Sequence, residues 1–135
     1  MDKNKISILN KELNGEIRND LLYKKLYATD ASVYKKYPIA VAFPKTNSDI
    51  EKIISFCLKE KLSIIPRAAG TSLAGQCVGP GIVIDVSKYL NKIISIDKIK
   101  KTVTVQPGVI RDELNLFLKK YGLFFGPNTS TSNYC

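Results

Sequence analysis

The 135 residues include 44% hydrophobic and 24% charged positions, enough for one hydrophobic core and too few for two. Apolar runs stay below the ~18 residues of a membrane span, and Ile6-Ser7-Ile8-Leu9 is too short for the apolar part of a signal peptide, so a cytoplasmic protein is expected. The formal net charge of +9 invites a nucleic-acid partner, but the cations are chiefly lysines scattered in pairs such as Lys24-Lys25 and Lys100-Lys101, and the arginines are only Arg18, Arg67 and Arg111, so solvated lysines and no nucleic acid are expected.

Residues 1–37 read as a helical lead-in with short helices over 6–13 and 20–27, separated by the turn Asn14-Gly15. The stretch Tyr27-Ala28-Thr29-Asp30-Ala31-Ser32 has no period, and Thr29, Asp30 and Ser32 are expected to stitch the lead-in to the core. Ile39-Ala40-Val41-Ala42-Phe43, stopped by Pro44, predicts a buried strand. Thr46 and Asp49 have capping-box spacing ahead of a helix whose apolar face is read as Ile50, Ile53, Ile54, Cys57 and Leu58. Leu62-Ser63-Ile64-Ile65-Pro66 is the next strand, completing a strand-helix-strand unit of parallel type.

A glycine-rich loop over residues 67–81 follows, and then a third buried strand, Ile82-Val83-Ile84-Asp85-Val86. A hairpin is expected over 92–106, with Thr102-Val103-Thr104-Val105 wet on one face. Pro107-Gly108 breaks the chain before a helix over 109–121, whose stripe is Ile110, Leu114, Phe117, Leu118 and Tyr121, with Gly122 as its cap. The remainder, through Gly126-Pro127-Asn128-Thr129-Ser130-Thr131, reads as an ordered loop, and the chain is expected to stop in mid-structure.

Metal and nucleophile chemistry find few candidates. The chain has no histidine, and Cys57, Cys77 and Cys135 show no C-x-x-C spacing, so zinc sites and Ser/His or Cys/His pairs lack their partners. Cys57 falls on the apolar helix face as a small core residue, and Cys77 lies in the glycine-rich loop. That loop, Arg67-Ala68-Ala69-Gly70-Thr71-Ser72-Leu73-Ala74-Gly75-Gln76, puts consecutive small residues at the end of a strand. Such a run lets main-chain N–H groups converge on phosphate oxygens, with Thr71 and Ser72 as hydroxyl donors and Arg67 as a cation at the entrance. It has neither the Gly-Lys-Ser/Thr of a Walker A loop nor G-x-G-x-x-G. Composition alone leaves a phosphate cradle and a merely structural loop both open.

The segment from Pro66 to Gln76 resembles the pyrophosphate loop of the FAD-binding type 4 domain, shared by the vanillyl-alcohol oxidase and p-cresol methylhydroxylase flavoproteins. Four more stretches follow the same family pattern: Tyr27 to Ser32, Ala42-Phe43-Pro44, Val105-Gln106-Pro107-Gly108-Val109, and Phe125-Gly126-Pro127. They resemble the branch with FAD-linked glycolate oxidase and D-lactate dehydrogenase, whose members are often fused to an iron–sulfur module.

The resemblance implies an α+β (α/β) chain of PCMH type. Its first subdomain holds the β-α-β unit and its second, made of hairpin and helix, is incomplete within 38–135. FAD is the implied cofactor. Arg67, Ala68, Ala69, Gly70, Thr71, Ser72, Leu73 and Gln76 would hold its pyrophosphate, Pro107 and Gly108 would approach it from the second subdomain, and Pro127, Ser130 and Thr131 would come up to the flavin. For Pro107-Gly108 a simple turn remains the alternative reading. In the family, further strands and a substrate cap carrying histidines and arginines come after the position of Cys135. The complete protein is thus expected to oxidise a 2-hydroxy acid; the alternative readings are the same flavin fold with a phenolic or sugar substrate, and a basic nucleic-acid-binding module. The chain by itself is expected to be inactive, to hold FAD weakly or not at all, and to self-associate through an unfinished sheet.

Overall fold

The computed structural model describes residues 3–134; Met1, Asp2 and Cys135 lie outside the described residues. The lead-in is more regular than its sequence suggests. It holds α1 (Lys3–Glu12), β1 (Glu16–Arg18) and α2 (Leu21–Leu26). The strand β1 has three residues and a single buried side chain, Ile17, too short a signal for periodicity to register.

The core is a four-stranded sheet in the order β1-β2-β4-β3, with β2 (Ala40–Phe43), β3 (Ile64–Arg67) and β4 (Ile82–Asp85) mutually parallel and β1 antiparallel at the edge. Between β2 and β3 runs α3 (Asn47–Glu60), yet β2 and β3 are not neighbours: β4 lies between them and pairs with both. β2 and β4 are buried at every position, which is why both read as unbroken apolar runs. Ala40, Ala42, Ile82 and Ile84 face a layer made by Ile6 and Leu9 of α1 with Ile53 and Cys57 of α3. Val41, Phe43, Ile65 and Val83 face the other way, toward Tyr23, Tyr27 and Tyr89. Tyr23 and Tyr27 meet the Phe43 ring edge-on at 5.7 and 5.8 Å.

The expected apolar stripe of α3 needs correction. Ile53 and Cys57 are buried, but Leu58 is 75% exposed and Ile54 is exposed too. The buried face is centred on Asp49, Ile53 and Cys57, spaced four apart, so Leu58 is rotated off it. Asp49 belongs to that face because its carboxylate is fully engaged. It accepts from the amides of Asn14, Gly15, Lys45 and Thr46 at 2.8, 3.1, 2.9 and 3.2 Å. One side chain thereby closes the expected capping box with Thr46 and ties the Asn14-Gly15 turn to the helix.

The second unit is the antiparallel pair β5 (Ile93–Asp97) and β6 (Thr102–Val105), bulged between Ile93 and Ser95, followed by α4 (Arg111–Lys119). The pair forms its own two-stranded sheet. α4 buries Leu114 and Leu118 of the expected stripe, and Gly122 at φ +67 follows its end. The wet face expected of β6 is broader than its alternation implies, since Val105 is exposed along with both threonines.

Candidate functional site

The parallel strands β3 and β4 end side by side, with Arg67 opposite Asp85, and ligands of open α/β sheets gather at such carboxyl ends. From the end of β3 the chain runs through residues 68–81 without helix or strand. Gly70 and Gly75 take φ of +71° and +73°, values that only glycine adopts without strain. Ala68, Ala69, Leu73 and Ala74 are exposed, so the loop lies over the core and is not sealed inside it.

The loop amides divide into two groups. Those of Ala74 and Gln76 donate to Ser72 Oγ at 3.2 Å each, and that hydroxyl donates to Gln76 Oε1 at 3.0 Å. Ser72 and Gln76 therefore brace the back of the loop. The amides of Ala68, Ala69, Gly70, Ser72 and Leu73 have no protein acceptor among the described residues. This front row of donors is what a phosphate oxygen requires.

Ala68 and Ala69 also line a pocket of about 290 Å³ whose opposite wall is Pro107, Gly108, Val109 and Ile110. Four of the sequence-predicted residues, two from the loop and two from the second unit, thus come together. Gly108 is held there by close backbone contact. It is buried, its amide donates to Leu90 O at 2.8 Å, and a Cβ at this position would lie 2.4 Å from Val86 O. Gly108 therefore shapes the floor and has no amide to offer a ligand. Ser87, Asn91, Glu113 and Tyr134 complete the lining. Of these, Ser87 could have been found from its position just after β4, but nothing in the sequence marks the others.

Pro127, Ser130 and Thr131 do not line this pocket. Their segment folds back along α4. Asn115 pairs with Phe125 through Oδ1 at 2.7 Å, Arg111 donates to Pro127 O at 2.5 Å, and Ser132 donates to Asp112 at 3.0 Å. Tyr134 is the residue of that segment which reaches the pocket wall.

Arg67 is held between the lead-in and Gly70 of the loop. Its guanidinium donates to Thr29 O at 2.7 Å and lies 5.1 Å from the centroid of the Tyr27 ring. Tyr27 in turn donates to Asp85 Oδ2 at 2.5 Å, while Ser87 donates to Asp85 Oδ1 through its amide and hydroxyl. Burial first, and then the bond to the Asp85 carboxylate, push the Tyr27 phenol well above the usual tyrosine range. Asp85 is thus a structural acceptor with both carboxylate oxygens engaged.

The chain is an α/β protein whose glycine-rich loop, at the carboxyl end of a parallel strand, leaves several amides unengaged beside a pocket shared with a second unit. The sequence profile described as "FAD binding domain" matches residues 38–135, and the chain belongs to that family. A D-2-hydroxyglutarate dehydrogenase of Haemophilus influenzae is 41% identical over 122 residues, covering 88% of this chain and 12% of that protein. A glycolate oxidase subunit of Bacillus subtilis is 35% identical over 108 residues, covering 78% of this chain and 23% of that protein. The structure of p-cresol methylhydroxylase superposes with a TM-score of 0.74 at 18% identity, covering 89% of this chain and 25% of that one. The fold is therefore of the PCMH type, and the chain spans only a small part of the relatives it matches.

The residues fit one end of FAD better than the other. The front row of amides suits the pyrophosphate, but a pocket of about 290 Å³ lies at the bottom of the ~300–1,000 Å³ range of ligand sites and cannot enclose the whole dinucleotide.

Proposed function

We propose that this chain is the pyrophosphate-holding portion of an FAD-linked oxidoreductase whose substrate is a small 2-hydroxy acid. The observation that carries the reading is the set of acceptor-free amides at residues 68–70, 72 and 73, set beside the pocket shared with Pro107 and Gly108. FAD, when bound, supplies the site that accepts the hydride equivalent. The chain's own residues orient the diphosphate end: loop amides donate to its oxygens, Ser72 and Gln76 hold the loop's curvature, and Gly108 keeps the second unit close. Among the residues lining the pocket, the carboxylate is that of Glu113 in the first turn of α4. The chain has no histidine, and the Asp85 carboxylate is filled by Tyr27 and Ser87.

The substrate class is supported by the hydroxy-acid names of the relatives. An electron acceptor or iron–sulfur module would belong to the complete protein. Titration of the 135-residue chain with ADP, FAD and riboflavin tests the cradle. The expected result is weak binding of ADP and FAD with no measurable binding of riboflavin, and no dye reduction with glycolate, D-lactate or D-2-hydroxyglutarate. Riboflavin binding without ADP binding would place recognition at the wrong end of the cofactor and sink the reading.

A further inference from the structure

The glycine-rich loop is anchored from outside the segment that the family profile covers, which begins at residue 38. Residues 27–36 make a compact turn of their own: Thr29 and Lys35 form a β-bridge, Lys36 N donates to Ala28 O at 2.9 Å, and Ala28 is fully buried. This turn meets the loop at its front, middle and rear. At the front, Ala31 N donates to Gly70 O at 3.1 Å, and Arg67 is drawn onto Thr29 O and the Tyr27 ring. In the middle, Gly75 lies so close to Tyr34 that a Cβ there would come within 2.6 Å of the ring. At the rear, Asp30 Oδ2 accepts from Cys77 N at 3.3 Å, while its Oδ1 accepts from Ser32 N at 2.9 Å. The guanidinium also fills the space above Gly70, 2.5 Å from where a Cβ would lie.

We infer that Tyr27, Asp30 and Arg67 are positioning residues: the lead-in turn clamps the glycine-rich loop into its cradle shape before any dinucleotide arrives, and Arg67 serves as a strut of that clamp, not as a phosphate ligand. The inference deepens the cofactor reading above and rests on it for the loop's purpose, but not for the clamp itself. An isolated loop of small residues is conformationally loose. A ligand that had to order it would lose affinity by that amount, and holding the amides in place beforehand removes the loss.

Two measurements on the 135-residue chain test this. The first is amide hydrogen exchange without ligand for wild type, Asp30→Asn and Tyr27→Leu. Exchange at the hydrogen-bonded loop amides of Ala74, Gln76 and Val78 is expected to rise about tenfold or more in both variants, with β2 and β4 amides unchanged. Because Tyr27→Leu also touches the core, Asp30→Asn, which acts at the loop's rear and within the lead-in turn, carries the result if the former unfolds. The second is ADP affinity in a double-mutant cycle of Tyr27→Leu and Arg67→Gln. A strut predicts that the double variant binds no worse than the weaker single one and that Arg67→Gln leaves the salt dependence of ADP binding as it was. Loop exchange unchanged in Asp30→Asn overturns the clamp. Losses that multiply, or a flattened salt dependence in Arg67→Gln, overturn the strut and make Arg67 a phosphate contact. If wild type binds neither ADP nor FAD, the cofactor reading fails, and the exchange data alone decide the clamp.

Discussion

Asp49 shows how much one side chain can settle. Burial works against its charge, but the amides of Lys45, Asn14, Thr46 and Gly15 outweigh it and hold its carboxyl below the usual aspartate range. A carboxyl lowered on folding contributes stability that is present above about pH 4 and lost as pH falls through its folded value. In Asp49→Asn a donor faces amides that need an acceptor, and urea unfolding at neutral pH should show a loss of about 2–4 kcal/mol. Below about pH 4 the gap between the two proteins should narrow, because protonation removes the wild-type advantage. A gap that stays constant with pH would mean that the carboxylate's charge is not what the amides require. Sequence spacing identified Asp49 as the partner of Thr46, a local relation; its two bonds to Asn14 and Gly15 cross 35 and 34 residues, and no local pattern reports them.

Among the elements, those written in short-range chemistry were the legible ones. β2 and β4 were apparent because both of their faces are covered, and α3 because its cap and its period agree. Its lower end carries an unfavourable residue: Lys61 occupies the left-handed region at φ 55°, ψ 44°, where glycine is the usual choice. Lys61→Gly should raise the unfolding free energy by about 0.5–1 kcal/mol, the left-handed penalty less the extra chain entropy of glycine. Thermal unfolding checks this, and a lower melting temperature would mean that the lysine stem makes contacts outweighing the backbone strain. β1 escaped the sequence because three residues cannot show a period, and Leu58 misled it because a helical stripe says which residues share a face but not how wide the cover is.

For the whole molecule the consequence lies in the second unit. Two strands and one short helix bury only Leu114 and Leu118 of α4, and a two-stranded sheet is marginal alone. Ile94, Leu116 and Phe124 are exposed by 63, 74 and 78%. Exposed apolar side chains of this size favour contact with another molecule where they adjoin. The chain should therefore sediment with concentration-dependent mass, and Leu116→Ser with Phe124→Ser should shift it toward monomer. A monomer at every concentration would show that these side chains are too dispersed to form a patch.

By itself the sequence determined the order and type of the buried strands, the capped helix between them and the glycine-rich run, since each follows from neighbours a few residues apart whose sterics and hydrogen bonding are fixed locally. Only the tertiary structure decided that β4 slots between β2 and β3, that Arg67 turns toward Thr29 and Tyr27, and that Pro107 and Gly108 meet Ala68 and Ala69 across one pocket. Those are contacts between segments far apart in the chain. Which partner a side chain takes among several of the same chemistry depends on where the sheet brings the backbone, and spacing along the sequence carries no record of that.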